Sequence, residues 1–188
     1  MNAAVSALIF DCDGTLADTM PAHYRAWVKI LRPYGIAFPE ARFYSMGGMP
    51  TGKVLERVFS EVGQVPDIDV LTRQKEAAFL EKLDEIRPIE KVVEVARRGR
   101  GTVPMAVASG GHRHMVELTL RQIGILDWFS VLVAAEDTTR HKPEPDVFLE
   151  AARRLGVAPT ECTVYEDTDL GIEAARRAGM RWVDVRTM

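Results

Sequence analysis

Five short apolar runs, rich in β-branched residues and without polar alternation, constrain the fold of this chain more than any other feature. The runs span residues 5–10, 103–108, 129–134, 162–165 and 182–185. A half-exposed strand alternates apolar and polar side chains, so these runs predict strands buried on both faces of a parallel sheet. Helical periodicity separates the later runs, over residues 88–99, 147–156 and 168–179. The alternation indicates an α/β fold with a Rossmann-like, three-layer parallel sheet.

One long stretch, residues 17–87, breaks this alternation because it contains helical patterns and no convincing strand. We therefore expect an inserted α-helical cap domain over residues 17–87, and an α/β core built from residues 1–16 plus 88–188. Since ligands of such sheets bind at the carboxyl ends of the strands, the cap is expected to cover that edge. The residues predicted to share the first helical face of the insertion are His23, Trp27, Ile30 and Tyr34.

Net charge and composition limit which ligands and which cellular compartment we expect for this chain. Lys plus Arg number 24 and Asp plus Glu 27, and the resulting net charge of −3 argues against nucleic acid as the main ligand. No apolar run approaches the roughly 18 residues of a membrane span. The N-terminal MNAAVSALIFDCDG lacks the basic segment of a signal peptide, and two cysteines cannot form a disulfide framework. We expect a monomeric, cytoplasmic protein without nucleic-acid or membrane partners.

Polar residues follow the predicted strands at the points where the strands end. In chain order they are Asp11, Asp13, Ser109, Gly110, Lys142, Glu166 and Asp167. The carboxyl ends of parallel strands meet at one edge of a sheet, so these residues are expected to converge. Crowded carboxylates are costly unless a cation neutralises them, and oxygen-only ligands favour Mg²⁺.

Such a cluster suits phosphoryl transfer. A bound Mg²⁺, the Lys142 ammonium, the Ser109 hydroxyl and the backbone amides of a Gly-rich turn would neutralise and hold the oxygens of a phosphoryl group. A carboxylate at the metal can attack phosphorus and form an acyl phosphate. Asp13 projects to the same side as Asp11 if the chain is still extended, which suits a proton donor for the leaving oxygen.

The segment DCDGTLADT, residues 11–19, resembles the first motif of the haloacid dehalogenase superfamily of aspartate-nucleophile phosphohydrolases. Ser109, Lys142-Pro143 and Glu166-Asp167 resemble its second, third and fourth motifs, in the same order. The resemblance implies Asp11 as nucleophile, Asp13 as general acid and base, and Ser109, Gly110 and Lys142 as ligands of the substrate phosphate. It implies that Asp11, the Asp13 carbonyl and Asp167 bind Mg²⁺, and that Glu166 either binds the ion directly or contacts the residues that bind it.

The chain is more similar still to the β-phosphoglucomutase-like branch of that superfamily. The segment from Thr19 to Trp27 resembles the cap hinge of the branch, in which a Thr and a His align the acid/base residue; here these are Thr19 and His23. Lys75 fits a cap lysine that reaches the substrate, and it interrupts an apolar helical stripe. The mutases carry an Arg where this chain has Thr51, so the resemblance favours hydrolysis of small sugar phosphates, as in the short fructose-1-phosphatase-like members.

Two other functions remain open at the level of the sequence. β-Phosphoglucomutase chemistry is the alternative enzyme activity, and a phospho-acceptor domain without turnover would also combine clustered acids with a hydroxyl and a lysine. Thr168 or Asp169 is predicted to open the helix that follows the Glu166-Asp167 pair, and Asp169 is predicted to be a helix cap rather than a metal ligand. His112, His114 and His141 are predicted to lie at the surface or at helix ends.

Overall fold

The computed structural model of the protein describes residues 6–188. Val5, the first residue of the first predicted strand, and residues 1–4 before it lie outside the described residues. The strands form a five-stranded parallel sheet in the order β3-β2-β1-β4-β5. They are β1 (Ala7–Phe10), β2 (Met105–Ala108), β3 (Val131–Val133), β4 (Cys162–Glu166) and β5 (Arg181–Asp184). Each contains part of one apolar run, so the predicted α/β fold is confirmed.

Helices pack on both faces of this sheet. The helices that follow or connect the strands in the core are α5 (Glu90–Gly99), α6 (Arg113–Gln122), α7 (Asp146–Leu155) and α8 (Asp169–Arg177). Alternate strand residues point to opposite faces: Ile9 packs with the apolar sides of α7 and α8, and Leu8 and Phe10 pack with those of α5 and α6. Because helices cover both faces of the central strands, those strands are largely apolar and lack alternation. The prediction of burial on both faces is wrong for β5, which carries Arg181 and Asp184 at its ends and leaves Trp182 46% exposed.

Four α-helices lie between β1 and α5. The helices are α1 (Met20–Leu31), α2 (Glu40–Ser45), α3 (Thr51–Glu61) and α4 (Ile68–Leu80). They enclose an apolar cluster of their own that includes Trp27, Leu55 and Phe59. A second, smaller cluster joins Ala22 of α1 and Phe79 of α4 to Met115 of α6, so the helical insertion packs directly against the sheet domain.

The chain enters and leaves the insertion at one place. Ala17 forms an antiparallel bridge with Pro88, and the Asp18 N–H donates to the Arg87 carbonyl at 2.9 Å. The two connecting segments therefore lie side by side at the strand ends of the core.

Three details differ from the sequence-based expectations. Tyr34 lies in a 3₁₀ turn after α1 and is 40% exposed, because the helix ends before it. Of the two residues predicted to open α8, Thr168 caps it, since its hydroxyl accepts from the Gly171 N–H, and the prediction of Asp169 as a cap is wrong because Asp169 pairs with Arg186. Helix α6 has no counterpart among the predicted elements. Within residues 6–188, every helix is too short or too polar to cross a bilayer.

We predict that Phe148→Ala destabilises the protein strongly. Phe148 is fully buried between α7 and the sheet, and such truncations cost about 3–5 kcal/mol because they leave a cavity. The neighbouring Leu149 is 37% exposed, so Leu149→Ala serves as the matched control with a cost below about 1 kcal/mol. Urea unfolding followed by circular dichroism measures both, and equal losses would contradict the assignment of Phe148 to the core.

Candidate active site

The carboxyl ends of β1, β2 and β4 bring the chemistry-bearing side chains together. The Asp11 N–H donates to the Tyr165 carbonyl and the Ser109 N–H donates to the Val133 carbonyl, both at 3.0 Å. Sheet pairing therefore continues one residue beyond the strands and fixes the backbone of Asp11 and of Ser109. Both residues are buried.

Lys142 lies at the centre of this site. Its Nζ donates to Asp11 Oδ1 at 2.6 Å and to Glu166 Oε1 at 2.7 Å. The three side chains are almost completely buried, with exposed fractions of 1% for Lys142, 8% for Asp11 and 0% for Glu166. Burial alone would lower the pKa of Lys142, but the charges of Asp11 and Glu166 outweigh it and raise the pKa above its ordinary value. Lys142 is therefore a permanent ammonium.

Glu166 is held on both oxygens. Its Oε1 accepts from Lys142, and its Oε2 accepts from the Thr168 hydroxyl at 2.9 Å and from the Thr168 N–H. A Cβ on Gly171 would lie 1.8 Å from Glu166 Oε1, so only glycine at that position in α8 leaves room for this carboxylate. The geometry makes Glu166 the anchor of Lys142.

Asp167 is the more accessible acid of the pair. Its Oδ1 accepts from the Thr15 hydroxyl at 2.8 Å, and its carboxylate lies against Gly14, where a Cβ would approach Oδ2 to 2.3 Å. Oxygens of Asp11, Glu166 and Asp167 lie within 4.8 Å of one another. Burial and the charge of Glu166 raise the pKa of Asp167 to about 7, and burial raises the pKa of Asp11 well above its usual range against the opposing charge of Lys142.

A chain of hydrogen bonds connects Asp13 with the insertion. His23 Nε2 lies 3.1 Å from Asp13 Oδ1, and Lys75 Nζ lies 2.8 Å from His23 Nδ1. An ammonium only donates, so Nδ1 accepts from Lys75 and Nε2 carries the hydrogen that is donated to Asp13. Burial alone would raise the pKa of Asp13, but the charge and hydrogen bond of His23 outweigh it and lower the pKa to about 2. Thr19, fully buried beside them, completes the group of predicted hinge residues.

Burial lowers the pKa of Lys75 to about 8 and also lowers the pKa of His23, where the Lys75 charge adds to the effect. Lys75 lies on α4 between the rings of Trp27 and Phe79, with its Nζ 5.6 Å and 5.8 Å from their centroids. The His23 ring stacks on Phe79 at 4.1 Å. Aromatic contacts thus support Lys75 and the His23 ring, and His23 is the residue that reaches Asp13.

A glycine turn of the insertion closes over the strand ends. A Cβ on Gly110 would lie 2.8 Å from the Gly48 carbonyl oxygen, and a Cβ on Gly47 would lie 2.9 Å from the Thr168 methyl group. Gly48 has a φ of +84°, which favours glycine. The backbone of the insertion therefore lies directly against the backbone of the core at Gly110. In the same core loop, the Ser109 Oγ accepts a hydrogen bond from the Gly111 N–H at 3.0 Å.

Between the two parts lies a cavity whose floor holds acids and whose roof is mostly apolar. Asp11, Asp13, Ser109 and Gly110 line it from the core. The insertion contributes His23, Trp27, Phe38, Phe43, Met46, Thr51, Lys75 and Glu76. Within residues 6–188, no arginine lines this cavity.

The predicted catalytic, phosphate-binding, metal and hinge residues line this cavity or contact residues that line it, whereas Asp169 is exposed and pairs with Arg186. Sequence reasoning missed the contacts of Thr15 and Thr168, which hold the carboxylates of Asp167 and Glu166. It also missed Glu76, which bonds His112 across the boundary between insertion and core. Thr15 lies inside the first motif and Thr168 directly follows the fourth, so their positions could have indicated these contacts. No feature of the sequence indicated the contact of Glu76.

The fold and the site define a class of hydrolase. Residues 8–185 match the family described as haloacid dehalogenase-like hydrolase. The chain belongs to this family, as the resemblance of its strand-end motifs implied.

The chain is similar to several phosphatases and to a mutase of this family. Fructose-1-phosphate phosphatase YqaB of Escherichia coli is 41% identical over 191 residues, covering 100% of both chains. A phosphorylated carbohydrates phosphatase of Thermotoga maritima is 28% identical, over 94% of this chain and 82% of its own. Among solved structures, β-phosphoglucomutase of Clostridium difficile superposes with a TM-score of 0.84 at 26% identity, covering 95% of this chain and 83% of its own.

We predict that Gly171→Ala displaces the Glu166 carboxylate and with it the Lys142 ammonium, because the new methyl group would occupy the position of Oε1. Hydrolysis of p-nitrophenyl phosphate should fall about 100-fold, the usual loss when a group that stabilises charge is misplaced. Gly52→Ala is the matched control, since its Cβ would meet only the Ile68 side chain at 3.6 Å. Unchanged activity in Gly171→Ala, measured by nitrophenolate release, would contradict the anchoring role of Glu166.

Proposed function

We propose that this hydrolase is a Mg²⁺-dependent phosphatase that cleaves small sugar phosphates through an aspartyl-phosphate intermediate. The observation that carries the proposal is the buried Asp11, held by Lys142 at the strand edge beneath the cavity. One oxygen of this carboxylate is fixed by the ammonium, and its Oδ2 accepts no hydrogen bond from the part of the chain that the structure describes. The second oxygen is therefore available for attack on phosphorus.

The acidic cluster fits a divalent cation. Asp11, Glu166 and Asp167 place three carboxylates around one ammonium. Burial is the main cause of the raised pKa values of Asp11 and Asp167, and the charge of Glu166 adds to it. The donor atoms of this cluster are all carboxylate oxygens, which favours Mg²⁺. Asp11, the Asp13 carbonyl and Asp167 would hold the ion, while both Glu166 oxygens already have partners. When bound, the ion supplies positive charge that neutralises the phosphoryl oxygens.

The reaction has two steps. The Asp11 carboxylate attacks phosphorus, the bond from phosphorus to the sugar oxygen breaks, and Asp13 gives to that leaving oxygen the proton it took from water in the preceding turnover. A pKa of about 2 leaves Asp13 ionised in this structure, so the anionic phosphoryl group of a bound substrate has to raise that pKa for Asp13 to carry the proton. Water then attacks the acyl phosphate, Asp13 takes a proton from the water, and phosphate leaves while the Asp11 carboxylate is restored. His23, oriented by Lys75, holds the Asp13 carboxyl group in place for both transfers.

The phosphoryl group would be bound by the Ser109 hydroxyl, the Gly110 N–H and the Lys142 ammonium. All three lie at the strand edge that forms the floor of the cavity or directly beneath it. Residues 17–87 would act as a cap domain over a core of residues 1–16 plus 88–188. The adjacent entry and exit segments at Ala17 and Pro88 provide the place for a hinge.

Two observations favour sugar phosphates and hydrolysis over mutase chemistry. The Escherichia coli fructose-1-phosphate phosphatase is 41% identical over the whole chain. The cavity offers Thr51 and no arginine from the described residues to grip a second phosphate, so a bisphosphorylated intermediate would be held weakly.

We predict that Asp11→Asn abolishes phosphate release. Losing the nucleophile should reduce kcat at least about 1,000-fold with fructose 1-phosphate, measured colorimetrically as free phosphate. Asp18→Asn, an exposed residue of the same loop, is the matched control and should retain full activity. Phosphate release by Asp11→Asn at the wild-type rate would refute the covalent mechanism.

We predict that removing divalent cations with a chelator stops turnover and that added Mg²⁺ restores it, because the carboxylate cluster otherwise lacks charge balance. Turnover that survives chelation would rule out the proposed metal.

We predict that β-glucose 1-phosphate, where it reacts, yields free phosphate rather than glucose 6-phosphate. Chromatography of the sugar products alongside the phosphate assay distinguishes the outcomes. Glucose 6-phosphate with little free phosphate would instead establish the mutase activity.

A further inference from the structure

Glu76 has no part in the reaction proposed above, although it lines the same cavity. It follows Lys75 on α4, and its side chain is only 14% exposed. Trp27, Phe38 and Phe43 make much of the surrounding wall apolar. A carboxylate in such a wall is costly unless it is hydrogen-bonded, and nothing in the phosphoryl chemistry requires it.

The carboxylate of Glu76 is ionised and only half satisfied. Its Oε1 lies 2.5 Å from His112 Nδ1. Burial alone would raise its pKa, but the hydrogen bond with His112 outweighs it and lowers the pKa. Its Oε2 lies 3.6 Å from His114 Nε2, beyond hydrogen-bond distance, and accepts no hydrogen bond from the residues that the structure describes. One oxygen is thus fixed and the other retains acceptor capacity.

The position of Glu76 selects the kind of ligand group it can meet. The phosphoryl group of a substrate would be held at the strand ends, so the rest of the molecule extends toward the insertion, where Glu76 lies. A carboxylate offers only acceptors, so it binds hydroxyl donors and repels a further phosphate. The nearest cation of the roof, Lys75, already donates to His23.

We propose that Glu76 is a specificity-determining residue that accepts hydrogen bonds from the hydroxyl groups of the sugar. This inference rests on the proposed function, which it deepens by assigning the group that distinguishes a polyol phosphate from other phosphate esters. His112 acts as the positioning residue that fixes the carboxylate from the core side, at the start of α6.

The competing interpretation is a purely mechanical one. The Glu76 and His112 pair joins α4 to the residue before α6, so it could serve only to hold the insertion against the core. A mechanical clasp would affect every substrate equally, whereas a hydroxyl-binding residue affects only substrates that carry hydroxyls. Comparing esters of the same length therefore separates the two.

The experiment measures kcat and KM of the full chain, with Mg²⁺, for fructose 1-phosphate and for n-hexyl phosphate, which has six carbons and no hydroxyl. In Glu76→Ala, kcat/KM for fructose 1-phosphate should fall about 30-fold, the usual effect of losing a hydrogen bond to a charged group, and mostly through KM. For n-hexyl phosphate it should change less than about threefold. Glu76→Gln, which preserves shape, should give an intermediate loss.

Asp69→Ala is the matched control, because it removes an exposed carboxylate from the same helix away from the cavity. It should leave both substrates unchanged. Thermal unfolding of each variant verifies that the fold is retained, and Glu76→Gln replaces Glu76→Ala if the latter does not fold.

Equal losses for both esters in Glu76→Ala would overturn the proposal in favour of the clasp, and no loss for either would also overturn it. Hydrolysis of n-hexyl phosphate but not of fructose 1-phosphate by the wild type would refute hydroxyl recognition and leave a phosphatase. Absence of any Mg²⁺-dependent hydrolysis, with p-nitrophenyl phosphate included, would refute the proposed function itself and remove the basis for this inference.

Discussion

The buried contact of one ammonium with two carboxylates is the interaction on which the rest of the site depends. Lys142 reaches Asp11 across 131 positions of sequence and Glu166 across 24, so the contact exists only when β1, β4 and the loop after β3 are correctly placed. Removing one partner of a buried ion pair leaves an uncompensated charge, at a cost of about 3–5 kcal/mol. The same buried charges therefore form the site and favour the strand placement that brings them together.

The carboxylate cluster holds more acidic groups than Lys142 can neutralise. Lys142 contacts Asp11 and Glu166, and oxygens of Asp11, Glu166 and Asp167 lie within 4.8 Å of one another in a largely buried region. Burial is the main cause of the raised pKa values of Asp11 and Asp167, and the charge of Glu166 adds to it. Under the proposed function, a divalent ion would neutralise the carboxylates and offset the negative charge of the incoming phosphoryl group.

The sequence could predict the contacts that a strand pattern or the strand topology encodes. Burial on both faces leaves its pattern in the central strands, although not in the edge strand β5, and parallel topology brings strand ends together, so the convergence of Asp11 and Lys142 could be predicted without coordinates. The pairing of Glu76 with His112, 36 positions apart in sequence, depends on how the insertion docks, and no periodicity encodes that. Thr and Asp both cap helices, so the sequence leaves Thr168 and Asp169 as candidates for the start of α8, and only the position of the Gly171 N–H selects Thr168.

The docking of the insertion on the core combines side-chain contacts with one close approach of glycine backbone. A Cβ on Gly110 would lie 2.8 Å from the Gly48 carbonyl oxygen, so any other residue there would push the insertion away from the core at this point. Among the roof side chains, His23 contacts Asp13 on the floor and Lys75 contacts His23, so these two residues cannot vary without altering the floor. Under the proposed function, the core residues would act on phosphorus, which every substrate shares, and a roof residue such as Glu76 would contact the part in which substrates differ. A change of substrate would then require substitutions in the roof other than at His23 and Lys75, while Lys142 and its two carboxylates stay in place.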